Sequence, residues 1–203
     1  MNNDVASIVL TLLDVNDVME CSLVNRRLNR VVCSNHLWYH LCKRDYGEFY
    51  ENLKRDTFCE TYKLCHDLEK LKRKLKMRGN VDEIYNSKNL YRTIYGMTAI
   101  PREIGQLINL QLLYLCDNDT TTAPTEIGQL LNLQELYLFR NQMTTIQSEI
   151  CQLVNLQRLD LNNNQITTIP NEIGQLINLQ RLDLYFNQIT EIPSEIGQLV
   201  NLQ

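Results

Sequence analysis

No proline precedes Pro101 in this 203-residue chain, and all four prolines (Pro101, Pro124, Pro170 and Pro193) fall in its second half. No basic residue precedes Arg26, so the charged start of a secretory leader is missing. No apolar run approaches the roughly 20 residues that a bilayer span needs; the longest weakly polar stretch is Val5 to Leu13. The seven cysteines are odd in number, irregularly spaced and never paired as C-x-x-C. That pattern fits reduced thiols better than a disulfide framework, and it argues against zinc even where Cys33, His36, His40 and Cys42 crowd together. Glycine is scarce, and there is no phosphate-cradling glycine loop, nucleophile elbow or histidine placed for a catalytic triad. These absences lead us to expect a chain of the cytosol or nucleus with no cofactor, no metal, no membrane partner and no catalysis of its own.

What is present divides the chain in two. Up to Gly96 there are 16 basic and 13 acidic residues; beyond it there are 4 and 11, giving the net charge of −4. Neither part is basic enough to imply nucleic acid as a partner. The prolines are separated by 23, 46 and 23 residues, and the same step places Leu110, Leu133, Leu156, Leu179 and Leu202 in register. The pattern L-x-x-L-x-L-x-x-N-x-I-T-x-I-P-x-E-I-G-Q-L-x-N fills four units at 110–132, 133–155, 156–178 and 179–201. A degenerate unit at 87–109 is marked by Met97, Ile100, Pro101, Ile104 and Leu107. The pattern resembles the 23-residue leucine-rich repeat of Ras-suppressor and Scribble-like intracellular proteins, over more than half the chain.

The residues explain this pattern physically. Alternation in L-x-L is a strand period, so Leu159 and Leu161 point one way while Arg158, Asp160 and Asn162 point the other. A single unit cannot bury its leucines; stacked units about 4.8 Å apart pair their strands in parallel, with Ile166, Ile169, Ile173 and Leu176 closing the core behind. Asn118, Asn141, Asn164 and Asn187 are expected to form a ladder bonding the backbone of adjacent turns. Proline holds the return segment extended, and Glu-Ile-Gly-Gln-Leu reads as a short helical turn on the convex side.

Binding is therefore expected at outward strand positions that the repeat leaves free: Tyr114; Glu135, Tyr137, Phe139 and Arg140; Arg158 and Asp160; Arg181, Asp183, Tyr185 and Phe186, with Leu112, Cys116, Asp117, Asn162 and Asn163 beside them. Tyrosine and arginine are the types enriched at interface hot spots, which favours a protein ligand over a merely solvated sheet face. The array departs from its pattern at Thr120 and Ala123, which leave a unit underpacked, and at Gln147 and Cys151, which replace proline and glycine. It stops at Asn201-Leu202-Gln203 and is expected to end uncapped.

In the first region, Val5, Ala6, Ile8, Val9, Leu10, Leu12 and Leu13 form a helix apolar almost all round, in need of two partners. Asp14 and Asp17 begin a second helix through Val18, Cys21, Val24 and Leu28, and Ser34 or Asn35 caps a third containing Leu37, Trp38 and Leu41. The runs Cys21-Ser22-Leu23-Val24-Asn25-Arg26-Arg27-Leu28 and His36-Leu37-Trp38-Tyr39-His40-Leu41-Cys42 resemble the F-box, over about residues 1–46. The resemblance implies docking to the Skp-type adaptor of SCF ubiquitin ligases and, through it, to a cullin. Val5, Ile8, Leu12, Leu28 and Val32 are the candidate adaptor contacts, while Ala6, Val9, Leu13, Val24 and Trp38 fill the module's own core. Two positions depart from the family: its usual opening Leu-Pro is absent, and Leu28 stands where a bulky aromatic is usual.

Between the regions, Phe58, Leu64, Leu68, Leu71 and Leu75 follow helical spacing, predicting an amphipathic helix over 57–77. Its other face carries Lys70, Lys72, Arg73, Lys74, Lys76 and Arg78, a surface for anions or, as we favour, a solvated spacer. The expected fold is thus α+β in two regions: a helical F-box-like module (1–46) and helical linker (47–86), then a leucine-rich-repeat α/β solenoid with a parallel sheet (87–203). The expected function is the substrate-recognition subunit of an SCF-type ubiquitin ligase, with an unknown target protein on the concave face. The alternative is a repeat scaffold or inhibitor without a ligase role. Such combinations are familiar from eukaryotes and large DNA viruses, so the expected location is the cytoplasm, or the host cytoplasm for a viral chain.

Overall fold

The computed structural model describes residues 35–47, 53 and 56–203. The chain divides into two compact units, one of residues 1–69 with 80–82, the other of residues 70–79 with 83–203. The expected first two helices, and with them Val5, Ile8, Leu12, Leu28 and Val32, lie outside the described residues.

In the first unit, helix α1 (Asn35–Tyr46) is the third helix predicted from Leu37, Trp38 and Leu41. It ends at Gly47, whose φ of +61° is one that side-chain-bearing residues rarely adopt and whose N–H caps the Lys43 carbonyl at 3.2 Å. Helix α2 (Phe58–Lys74) opens with a capping box: Thr57 Oγ1 accepts from the Glu60 N–H and the Glu60 carboxylate accepts from the Thr57 N–H, both at 3.2 Å. Leu37, Trp38, Leu41 and Cys42 are buried with Tyr62, Leu64, Cys65 and Leu68. The Trp38 and Tyr62 rings lie 5.2 Å apart, and the Tyr62 hydroxyl donates to Asp45 at 2.6 Å. Trp38 therefore occupies the core position that the sequence assigns it, and Cys42 is buried beside it. Burial, ahead of nearby acidic groups, pushes the Cys42 thiol up to about 12.

The second unit is the solenoid. Helix α2 ends inside it, followed by α3 (Val81–Tyr85) and strands β1 (Asn89–Tyr91), β2 (Leu112–Tyr114), β3 (Glu135–Tyr137), β4 (Arg158–Asp160) and β5 (Arg181–Asp183). The strands form one parallel sheet in sequence order. Every pair is offset by one repeat, as in Leu113↔Leu136 and Leu136↔Leu159. The degenerate unit contributes a full strand, with Asn89 opposite Leu112. Strands three residues long suffice because neighbouring turns add parallel bonds at both ends, such as Leu138 N–H to the Asp160 carbonyl at 2.9 Å and Gln157 N–H to the Gln134 carbonyl at 2.8 Å.

Leu110, Leu113, Leu133, Leu136, Leu156, Leu159 and Leu179 are wholly buried, and the convex isoleucines Ile104, Ile127, Ile150 and Ile173 close the core. Each prolyl unit enters a 3-10 turn from an extended residue, Pro124 at ψ 153° and Pro170 at ψ 151°. Glycine in these turns answers a close approach, since a Cβ on Gly105 would lie 2.7 Å from the Glu126 carbonyl. Where Gln147 and Cys151 replace proline and glycine, the turn shrinks to Ile150–Gln152, Cys151 is buried, and Gln147 Oε1 accepts from the Ala123 N–H at 3.2 Å. Thr120 is likewise satisfied, its hydroxyl donating to the Met97 carbonyl at 3.1 Å.

The asparagine ladder is present. Asn164 Nδ2 donates to the Leu138, Leu161 and Asn162 carbonyls at 3.0, 3.0 and 3.4 Å, while its Oδ1 accepts from the Met143 N–H at 3.0 Å. Asn141 and Asn187 make the same bonds one unit either side. A second ladder, which sequence reasoning did not assign, uses the last asparagine of each unit. Asn132, Asn155, Asn178 and Asn201 donate to the Ile108, Leu131, Val154 and Ile177 carbonyls at 2.8–2.9 Å.

Candidate binding face

Residues i and i+2 of each strand project from the concave side, and the 23-residue register stacks them into columns. The first column runs Asn89, Leu112, Glu135, Arg158, Arg181; the second runs Tyr91, Tyr114, Tyr137, Asp160, Asp183. The second column is a tyrosine stack in its first half, with centroids 5.9 Å apart between Tyr91 and Tyr114 and 5.8 Å between Tyr114 and Tyr137. Phe139 meets the Tyr114 ring edge-on at 5.5 Å. Such contacts at cross-strand neighbours are worth about 0.5–1.5 kcal/mol each. Tyr91 belongs to this stack although it is absent from the sequence-derived set; its position 23 residues before Tyr114 was the available signal.

The second half is charged. Arg181 Nε donates to Asp183 at 2.7 Å, and the Arg158 guanidinium lies 3.6 Å from the same carboxylate. Arg158 also sits over the Tyr137 ring, 5.1 Å from its centroid, and its Nε is buried without an acceptor. Tyr137 in turn donates its hydroxyl to Glu135. Burial, then the Glu135 bond, pushes the Tyr137 phenol up to about 12. Burial first, and then the neighbouring Asp183 charge, outweigh the Asn162 N–H bond and hold the Asp160 carboxyl above its usual range.

The structure corrects the sequence-derived face in three respects. Asp160 and Asp183 are buried, at 7% and 6% exposure: Arg158 and Arg181 reach Asp183, and the Asn162 N–H bonds Asp160 at 3.1 Å. Cys116 is also buried, covered on the concave side where its thiol meets Tyr114. Among the five rings expected to be exposed, Tyr114, Tyr137 and Phe139 shield one another and are half-buried, whereas Tyr185 and Phe186 stand at 71% and 80%. Finally, Asp117, Arg140, Asn163 and Phe186 lie past the strands in left-handed backbone, with φ between 51° and 56°. There Arg140 reaches the equivalent residue of the preceding unit, Asp117, at 3.4 Å. A cavity of about 540 Å³ at the charged end is lined by Glu135, Arg158, Arg181, Asp183 and Tyr185. Nothing in this face has the arrangement of a nucleophile with a base; among the described residues no cluster of His, Cys, Asp and Glu could hold a metal, and no helix is long and apolar enough to cross a membrane.

Comparison with known proteins bears on this geometry. The F-box-like family matches residues 3–44, and two leucine-rich-repeat families match residues 131–173 and 154–203. A leucine-rich-repeat protein of Leptospira interrogans is 45% identical with a TM-score of 0.58, over 62% of this chain and 33% of its own. The leucine-rich-repeat ectodomain of the plant membrane receptor kinase GASSHO1/SCHENGEN3 from Arabidopsis thaliana is 34% identical with a TM-score of 0.54, over 59% of this chain and 15% of its own. This chain thus spans a third or less of the length of either protein. A search of curated proteins found no match. F-box and leucine-rich-repeat modules typically serve interaction and carry no catalysis. The chain joins an F-box-like segment to a C-terminal array of leucine-rich repeats.

Proposed function

We propose that this protein is the substrate-recognition subunit of an SCF-type ubiquitin ligase. The observation that carries the reading is the coexistence, in one chain, of the F-box-like segment at 3–44 and a repeat sheet with an aromatic and arginine-bearing concave face. In this reading Val5, Ile8, Leu12, Leu28 and Val32 contact a Skp-type adaptor, the adaptor recruits a cullin in the cytoplasm, and the concave face holds a target protein. The chain contributes proximity; ubiquitin transfer belongs to its partners.

The test is a pulldown of the full chain with a Skp-type adaptor. Binding at micromolar concentration supports the reading, and Ile8→Asp is expected to abolish it while the repeats stay folded. Failure of the wild-type chain to bind sinks it. The absent Leu-Pro opening and Leu28 favour a second reading, a repeat scaffold or inhibitor whose docking site has lapsed. Target abundance with and without proteasome inhibition separates the two, because only a ligase subunit lowers it.

A further inference from the structure

A second charged site lies in the solenoid unit, away from the concave columns. A cavity of about 490 Å³ is lined by Leu75, Lys76, Arg78, Arg92, Thr93 and Tyr95 among others. Three of these side chains are cations and none is an acid. No carboxylate among the described residues pairs with Lys76, Arg78 or Arg92. The neighbouring Lys74, by contrast, is fully engaged, donating to both oxygens of the buried Glu103 at 2.9 Å.

Arg92 is held in place from two sides. Its backbone N–H donates to the Tyr114 carbonyl at 2.8 Å, and its Nη1 donates to the Tyr91 carbonyl at 2.7 Å. Its Nε is buried and has no acceptor. Buried guanidinium donors are normally satisfied, so this N–H is an unmet donor on a residue of the cavity lining. Lys76 is placed by the end of α2, where Met77 N–H bonds the Lys72 carbonyl at 2.8 Å and Lys76 itself takes a φ of +49°. The left-handed position usually goes to glycine. Here it carries a lysine at the rim of the cavity, and the Thr93 side chain adds a hydroxyl to the lining.

From this geometry we infer that the Lys76–Arg78–Arg92 cavity is a binding site for a dianionic phosphate monoester. Three cations lining one cavity with no acid among them favour an anion there, and phosphate supplies several acceptor oxygens for their donors at once. The surrounding charge limits the ligand to a compact group. Beyond Gly96 the chain has 4 basic and 11 acidic residues, so a broad anionic surface such as a bilayer or a nucleic-acid backbone is repelled by the repeats. A single phosphate reaches only the pocket. Its source is either a phosphorylated side chain or a free small phosphate, and the inference is independent of whether an adaptor binds residues 3–44.

Calorimetric titration of the full chain provides the test, with three probes: inorganic phosphate, a pentapeptide Ala-Ala-phosphoserine-Ala-Ala and its unphosphorylated form. The phosphopeptide is expected to bind about tenfold or more tightly than the unphosphorylated peptide. The paired substitution Lys76→Gln with Arg78→Gln removes two exposed charges without touching the core and should weaken phosphate binding about tenfold or more. Thermal melts of that variant verify that it is folded. Binding of phosphopeptide and phosphate assigns a phosphorylated side chain; binding of phosphate alone assigns a free phosphate. Equal affinity for both peptides with no phosphate binding, or unchanged affinity in the paired variant, overturns the inference.

Discussion

The Arg158 guanidinium lies 5.1 Å from the centroid of the Tyr137 ring, and this contact joins the tyrosine half of the concave face to its charged half. On the far side the same guanidinium approaches Asp183 at 3.6 Å. A cation between a ring face and a carboxylate is held by both. A double-mutant cycle of Arg158→Ala and Tyr137→Ala, read by urea unfolding, should return a coupling of about 0.5–1 kcal/mol. Strict additivity would show that the contact contributes nothing.

Asn164 is buried and holds four backbone groups, three carbonyls and one N–H. Asn164→Ala leaves them without partners and should cost about 3 kcal/mol or more in unfolding free energy. Asn187 makes the same set of bonds but is half-buried, so water replaces part of what its truncation removes. Asn187→Ala should therefore cost less, and equal losses would contradict the role of burial.

Lys76 occupies the left-handed position of the α2 C-terminus at φ +49°. Glycine adopts that conformation without a Cβ clash, so Lys76→Gly should raise stability by about 1 kcal/mol. A loss of stability would show that the lysine side chain makes a stabilising contact in the free protein.

Two acids should respond to pH in opposite senses. Burial raises Glu103, but the Lys74 hydrogen bond and its own backbone N–H outweigh burial and hold its carboxyl below the ordinary 4.5. Its contribution is present above that value and is lost as pH falls through the lower folded value. Asp160 is raised above 3.8 by burial and Asp183, so its ionised form is the less favourable one in the fold, and that cost is relieved as pH falls through the raised folded value and is gone below 3.8. Glu103→Gln should therefore destabilise at pH 7 and be nearly silent in acid. Asp160→Asn should stabilise at pH 7 and lose its advantage in acid, as thermal melts from pH 7 to pH 3 would show. The same sign for both substitutions would refute this assignment.

Under either functional reading, Tyr137→Ala with Phe139→Ala should weaken capture of the target about thirtyfold, the scale of a hot-spot pair. Affinity purification with protein identification, comparing this variant with wild type, reads it directly. Undiminished target recovery would place the site elsewhere.

The repeat, its register and its asparagine ladder were legible because they depend on a fixed period. Leu113, Leu136 and Leu159 lie opposite one another for the same reason that they are 23 residues apart. The helical spacing over 57–77 was similarly legible as α2, although the helix stops at Lys74, where three backbone bonds close its end instead of a further turn. The docking module was recognisable from its motif, and its helix α1 places Trp38 in the core as that motif implies, with Cys42 buried beside it. Alternation distinguishes only the inward from the outward side of a strand. It could not show that Asp160 and Asp183 are covered, because Asp183 is held by arginines of its own and the adjacent unit and Asp160 by the backbone N–H of Asn162.

From the sequence by itself follow the unit length, the parallel pairing, the ladder and the inward leucines, since each is a nearest-neighbour consequence of one repeated pattern. Tertiary structure alone decided which outward side chains meet solvent and which cover one another. It also decided that Phe186 and Arg140 turn on left-handed backbone, and that Lys76 and Arg78, just past α2, share one cavity with Arg92, just past β1. The physical reason is that a period specifies where a Cβ starts, whereas exposure and charge proximity depend on where long side chains end, and that is set by every neighbour packed around them.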